Sequence, residues 1–275
     1  MSVSGRYELK HPSRIPALSL VLLTCVSFTG STGGSQPELK QTPVLLELFT
    51  SEGCSSCPPA DEFLARLDRE QPVPGVEIIG MEEHVDYWNH DGWVDPYSSA
   101  EWTSRQLQYV QQLKENTAYT PELVIDGECS VIGAREREIL LGIQESARRE
   151  SVTVAARLNG PPTAGALKVE IRVEKIADLE NDTPEIWLAI AEKHLGSHVG
   201  AGENAGRQLR HSAVLRSLKK IGNANAKTDL AYNGTAEAKV SRDWRVENLQ
   251  AIVIVQEKKS RRVVGVTAIQ VAAPQ

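Results

Sequence analysis

The sequence predicts an α/β domain followed by an all-β sandwich domain, and three observations carry that expectation. Up to residue 150, apolar runs of strand length alternate with stretches of helical periodicity. A cysteine pair, Cys54 and Cys57, stands between the first such strand and the first helix. From Ser151 onward apolar and polar residues alternate one by one, the period of half-buried strands.

Residues 1–35 belong to neither domain, and the rest divides into 36–150 and 151–275. Arg6, Lys10 and Arg14 form a basic start, residues 15–28 an apolar stretch, and small residues from Thr29 to Ser35 a cleavage site. This is the layout of a signal peptide. The apolar stretch falls short of the ~20 residues a membrane helix needs. Leu22-Leu23-Thr24-Cys25 resembles a bacterial lipobox, so membrane attachment is expected only if Cys25 is lipidated. The expected location is periplasmic or secreted, where a cysteine pair can persist as a disulfide. With a formal net charge of −6 and no basic block, nucleic acid is not an expected partner.

The first strand runs from Pro43 to Phe49, apolar except for Glu47, and ends in a polar, Gly-containing turn. Pro58 and Pro59 suit the first turn of a helix, where no intrahelical N–H is required. Ala60, Phe63, Leu64 and Leu67 recur on one face of that helix. Residues 76–81 read as a second buried strand, followed by an aromatic-rich stretch from His84 to Pro96. A helix over 99–115 places Trp102, Tyr109 and Leu113 in one row, beside Leu107 and Val110. Pro121 precedes a strand over 122–125, Asp126-Gly127 turns the chain back along 128–132, and a helix over 135–149 follows. Beyond Ser151 about seven strands, separated by turns at Asn159-Gly, Asn181-Asp and Asn233-Gly, fit an immunoglobulin-like sandwich. Residues 196–210, rich in glycine, read as a surface loop.

The cysteine pair carries the chemistry. A thiolate at a helix N-terminus meets the positive end of the dipole, which lowers its pKa and makes it nucleophilic near neutral pH. With two residues between them, the second thiol can resolve a mixed disulfide on the first. Cys54 is therefore the expected attacking thiolate and Cys57 the resolving thiol, with protein or peptide thiols and disulfides as partners. Half of a zinc site and an inert disulfide are the competing readings. No second Cys-x-x-Cys completes a four-thiolate site, and Cys129 remains as an odd thiol.

The order β-α-β-α-β-β-α resembles the minimal thioredoxin fold. Residues 48–61 (LFTSEGCSSCPPAD), 84–88 (HVDYW), 92–96 (GWVDP), 120–127 (TPELVIDG), 202–207 (GENAGR) and 252–256 (IVIVQ) resemble blocks of the secreted thioredoxin-like family catalogued as domain of unknown function 1223. The resemblance implies a thioredoxin-like fold with an exported dithiol and names no substrate. It also implies a cis-proline at Pro121 facing the dithiol, with Thr120 beside it shaping the groove for a substrate disulfide. Glu47 lies near the position of the buried thioredoxin acid that accepts a proton from the resolving thiol, at a spacing one residue longer.

Other constellations are weaker. His84, Tyr87, Trp88 and Trp93 could bind an extended polypeptide or simply pack their own loop. Cys54, Cys57 and His84 form a set that could deliver copper, although such proteins usually separate their cysteines by three residues. His194, His198, Glu203 and His211 could be drawn into a zinc site, with exposed loop histidines as the alternative. Gly200 to Gly206 lacks the spacing of a nucleotide loop. No metal or other cofactor is expected, and a thiol–disulfide oxidoreductase competes with a non-catalytic binding module locked by its disulfide.

Overall fold

The computed structural model of the chain describes residues 41–162, 165–176 and 182–272. The expected leader, including Cys25, lies outside them. The first half forms β1 (Thr42–Thr50), α1 (Pro58–Glu70), β2 (Val76–His84), α2 (Ala100–Leu113), β3 (Glu122–Ile125), β4 (Cys129–Ile132) and α3 (Glu136–Ser146). The second half is all strand: β5 (Val154–Leu158), β6 (Ala166–Glu174), β7 (Pro184–Glu192), β8 (Leu195–His198), β9 (Gln208–His211), β10 (Val214–Asn223), β11 (Leu230–Lys239), β12 (Leu249–Glu257) and β13 (Val263–Gln270).

These elements do not assemble into a thioredoxin-like domain followed by a separate sandwich. The chain is mostly β, and one eight-stranded mixed sheet runs through both halves in the order β13-β12-β7-β10-β2-β1-β3-β4. The join is at β2, where Glu82 pairs with Val214 of β10 in parallel and its N–H donates to Ala213 O at 2.8 Å. The remaining strands form a three-stranded sheet, β11-β6-β5, and a β8–β9 hairpin. A strand edge left open offers a row of unpaired N–H and C=O groups, so the outer edge of β2 gains by accepting β10. Periodicity along a strand reports its two faces and says nothing about which strand takes its edge. That is why the sequence pattern suggested two independent units.

Alternation along β1 divides the core. Val44, Leu46 and Leu48 pack with Ala60, Phe63, Leu64 and Leu67 of α1, whereas Leu45 joins the cluster on the opposite face with Ile79, Met81 and Trp102. The second half closes its own core between β6, β7, β11 and β12, where Val169, Ile171, Leu188, Ile190, Ala236 and Val253 meet. Strands β1 and β2 are parallel from Thr42↔Val76 to Thr50↔His84, which carries both C-terminal ends to one place.

Three local expectations are corrected. On α2, Leu107 is 51% exposed while Arg105 and Gln106 are buried, because Glu47 and Glu122 accept from them across the interface. Asn233-Gly234 lies inside β11 and is not a turn. The 196–210 segment is a hairpin whose tip is fastened by Val199 N to Arg207 O (3.0 Å) and Gly206 N to Val199 O (2.8 Å), with Val199 and Asn204 buried.

The Asp126-Gly127 turn is present, with φ of 45° and 71°. Asp126 accepts from Leu45 N at 2.8 Å and Ser146 Oγ at 2.5 Å, and burial pushes its carboxyl up to about 7 from the ordinary 3.8. A raised acid stays protonated in the folded chain while the unfolded chain ionises. Stability should therefore fall as pH rises from about 4 to about 7 and level off above. Asp126→Asn lacks that loss. Urea denaturation should find the variant gaining on the wild type by about 1–3 kcal/mol between pH ~5 and pH ~8. Parallel pH profiles for the two proteins would refute this assignment.

Candidate functional site

The paired ends of β1 and β2 present a turn, residues 51–57, that leads into α1. Cys54 N donates to Ser51 O at 3.1 Å and Cys57 N to Cys54 O at 3.2 Å, and Cys57 is the N-cap residue with Pro58 next. Cys54 and Cys57 form a disulfide with Cα atoms 5.4 Å apart. Gly53 is required by crowding, since a Cβ there would meet Trp88 Cβ at 2.9 Å.

The hairpin tip covers this turn. Asn204 Nδ2 donates to the carbonyls of Glu52 and Cys54, both at 2.9 Å, and Ser55 N donates to Glu203 Oε2 at 3.0 Å. Both cysteines are fully buried, while Ser55 and Ser56 between them are exposed.

Beneath the turn lies a buried imidazole–carboxylate cluster. His84 Nδ1 is 2.7 Å from Asp95 Oδ2, and His211 Nε2 is 3.0 Å from Glu52 Oε1. Glu82 stands between the rings, with Oε2 3.5 Å from His211 Nδ1 and 3.9 Å from His84 Nε2. The two rings meet edge to face at 4.6 Å, and Tyr97 packs against both at 5.4 Å. Glu52 N donates to Asp95 Oδ2 at 2.8 Å, which links the cluster to the cysteine turn. Burial alone would raise the Glu82 carboxyl, yet the two imidazoles that face it, His211 and then His84, hold it at about 2. Burial opposes protonation of His211, but Glu52 and Glu82 bring it up to about 9. Against the same opposition from burial, Asp95 and Glu82 hold His84 well above its ordinary value.

The candidate residues fall into three groups. Cys54, Cys57 and Pro121 share one region: the Thr120–Pro121 bond is cis, and a Cβ on Gly133 would touch both Pro121 Cβ and Ala60 Cβ at 3.0 Å. Thr120 Oγ1 accepts from Trp88 Nε1 at 2.8 Å, Tyr87 OH donates to Gln106 at 3.1 Å, and Trp93 Nε1 donates to Glu52 Oε2 at 2.9 Å. The aromatic residues are half-buried with their polar atoms engaged, so they pack the loop against the cysteine turn. Glu47 stands apart. It lies on the face of β1 away from α1, where Arg105 Nε donates to it at 2.6 Å and Tyr109 OH at 2.5 Å. The extra residue between it and Cys54 has moved it to the other face.

The proposed zinc set is split: His194, His198 and Glu203 are exposed and His211 is buried. His84 has its Nδ1 held by Asp95 at 2.7 Å. Cys129 is an exposed free thiol on β4.

Sequence reasoning missed Glu52, Asp61, Glu82, Asp95 and Asn204. Asp61, in the first turn of α1, accepts from Thr50 Oγ1 at 2.6 Å and is pushed up to about 7 by burial, with the Glu82 charge adding to the effect. It is a titratable carboxyl on the α1 face of the sheet, the side that Glu47 does not reach. One signal was available: Glu82 and His84 are polar residues at alternate positions continuing an apolar strand, which places them on one buried face.

The fold is shared with solved structures. Protein AGR_C_4864 from Agrobacterium tumefaciens is 24% identical with a TM-score of 0.64, covering 84% of this chain and 96% of that one. HBP35 of Porphyromonas gingivalis is 14% identical with a TM-score of 0.62, covering 84% of this chain and 75% of that one. Among curated proteins none matches. Residues 45–256, from within β1 to within β12 and so including every part of the site, match the protein family of unknown function DUF1223, and the chain belongs to that family.

Proposed function

We propose that the protein is an exported thiol–disulfide exchange protein acting on protein or peptide substrates in the periplasm or outside the cell. The observation that supports this is the Cys54–Cys57 disulfide placed where α1 begins. In the reduced protein the Cys54 thiolate attacks one sulfur of a substrate disulfide, forming a mixed disulfide and releasing one substrate thiolate. The Cys57 thiolate then attacks Cys54 sulfur, closing the protein disulfide and releasing the second substrate thiolate. Two electrons pass from the dithiol to the substrate. Because the cysteines are buried beneath the 199–207 segment, exchange requires that segment to move aside. Asn204 is its fastening.

The same burial favours a second reading, in which the disulfide is structural and the chain is a binding module. Single-cysteine chemistry separates the two. The reduced wild type should show Cys54 alkylated faster at neutral pH than a free thiol of pKa about 8.5. Cys54→Ser should abolish exchange, and Cys57→Ser should accumulate mixed disulfides. Asn204→Ala removes two hydrogen bonds worth about 1 kcal/mol each, so the disulfide should be reduced by dithiothreitol roughly 10-fold faster or more. Ordinary Cys54 reactivity with nothing trapped would leave the structural reading in place.

A further inference from the structure

We propose that Glu82, His84 and His211 bind a divalent transition-metal ion beneath the cysteine turn. One ligand atom from each lies within 4.8 Å of the other two, and all three residues are buried. The atoms that converge, Glu82 Oε2, His84 Nε2 and His211 Nδ1, are buried and have no hydrogen-bond partner. Such atoms are rare in folded proteins because each costs free energy when left unpaired.

Their other sides are fully engaged. Asp95 holds His84 Nδ1 at 2.7 Å and Glu52 holds His211 Nε2 at 3.0 Å. Glu82 Oε1 accepts from Ser212 N at 3.0 Å and Ser212 Oγ at 2.8 Å. A carboxylate on the far nitrogen of each imidazole is the arrangement that orients metal ligands and raises their basicity. An internal ion-pair network would close its inner contacts as tightly as its outer ones. Here the inner distances open to 3.5 and 3.9 Å. A tetrahedron with bonds of about 2.1 Å has edges of about 3.4 Å, so a small contraction around an ion suffices.

Two imidazoles and one carboxylate suit a first-row transition metal, whereas calcium and magnesium favour all-oxygen sites. Glu52, Glu82 and Asp95 together supply negative charge for a dication. Three protein ligands leave a fourth position for water or a small ligand. His211 and Ser212 also border a cavity of about 730 Å³ between α1 and the β8–β9 hairpin. The inference is independent of the dithiol reading, because no thiol belongs to the set.

The test uses the full chain with the Cys54–Cys57 disulfide intact and with Cys25→Ser and Cys129→Ser, so that no thiol can coordinate. After chelator stripping, calorimetric titration with Zn(II) should find one equivalent bound. His84→Ala and His211→Ala should each weaken binding at least 100-fold, and Glu52→Gln, which acts through His211, about 10–100-fold. His198→Ala, exposed on the hairpin, should leave it unchanged. Circular dichroism identifies variants that fail to fold, and a measurement on the unsubstituted site covers that case. Its Co(II) form should show the intense visible bands of a low-coordinate nitrogen–oxygen site. Less than stoichiometric Zn(II) binding, the spectrum of hexaaqua Co(II), or folded His84→Ala and His211→Ala proteins that bind as tightly as the wild type would each overturn the proposal.

Discussion

Replacing Arg105 by Met should cost about 3–5 kcal/mol, because it strands a buried carboxylate. Arg105 is 5% exposed and donates to Glu47 at 2.6 Å and to Tyr109 OH at 3.1 Å. Gln256 of β12 donates to the same tyrosine at 2.8 Å, so the network ties α2 and β1 to the second half of the chain. Burial would raise Glu47, yet the charge and hydrogen bond of Arg105 hold it below its ordinary value. Its neighbour Glu83 is driven the other way, well above the ordinary value, by burial and by the charge of Glu47. One cation thus keeps one carboxylate charged while the second stays neutral. In Arg105→Met the Glu47 charge loses its partner, and urea denaturation should show the loss directly. The double variant Glu47→Gln/Arg105→Met should recover a large part of it, since the penalty lies in the unpaired charge. A single-variant effect below about 1 kcal/mol would mean that the pair is effectively solvated.

Gly127→Ala should be the next most damaging change, at about 2–5 kcal/mol. Two terms add. At φ 71° a side chain pays about 1–2 kcal/mol for the left-handed conformation. A Cβ there would also stand 2.0 Å from the carbonyl oxygen of Arg261, a backbone atom that cannot swing away, and overpacking of this kind costs about 1–3 kcal/mol. The turn is docked at this point, because Val263 N donates to Asp126 O at 2.8 Å. Gly75→Ala supplies the comparison. Its φ is 76° but nothing lies within 4 Å of the added atom, so only the conformational term applies. If the two variants lose equal stability, the close approach to Arg261 does not constrain the fold.

Much of the local structure was legible. The Pro-Pro start and apolar face of α1, the strands β1 and β2 and the Asp-Gly turn follow from spacing and turn chemistry alone. So did the cysteine pair at the beginning of a helix. Four of the six segments that carry the family resemblance converge on one place: 48–61 contributes Glu52 and both cysteines, 84–88 contributes His84, 92–96 contributes Trp93 and Asp95, and 202–207 contributes Asn204. Their convergence could not be read from the chain. His211 reaches Glu52 across 159 residues and Asn204 reaches Cys54 across 150, and no periodicity reports contacts at such separations.

The residues by themselves determined most of the strands and helices, the apolar faces of β1 and α1, and that two cysteines meet a helix start, because these depend on neighbours within a few positions. Tertiary structure alone decided that β10 joins β2 to make one sheet of two expected domains, and that a glycine-rich hairpin shuts over the disulfide. It also decided that Glu47 faces an arginine and that two histidines share a carboxylate. Each of these pairs a hydrogen-bonding edge or a buried charge with a distant partner, and a strand's edge and a charge carry no mark in sequence of the partner that will satisfy them.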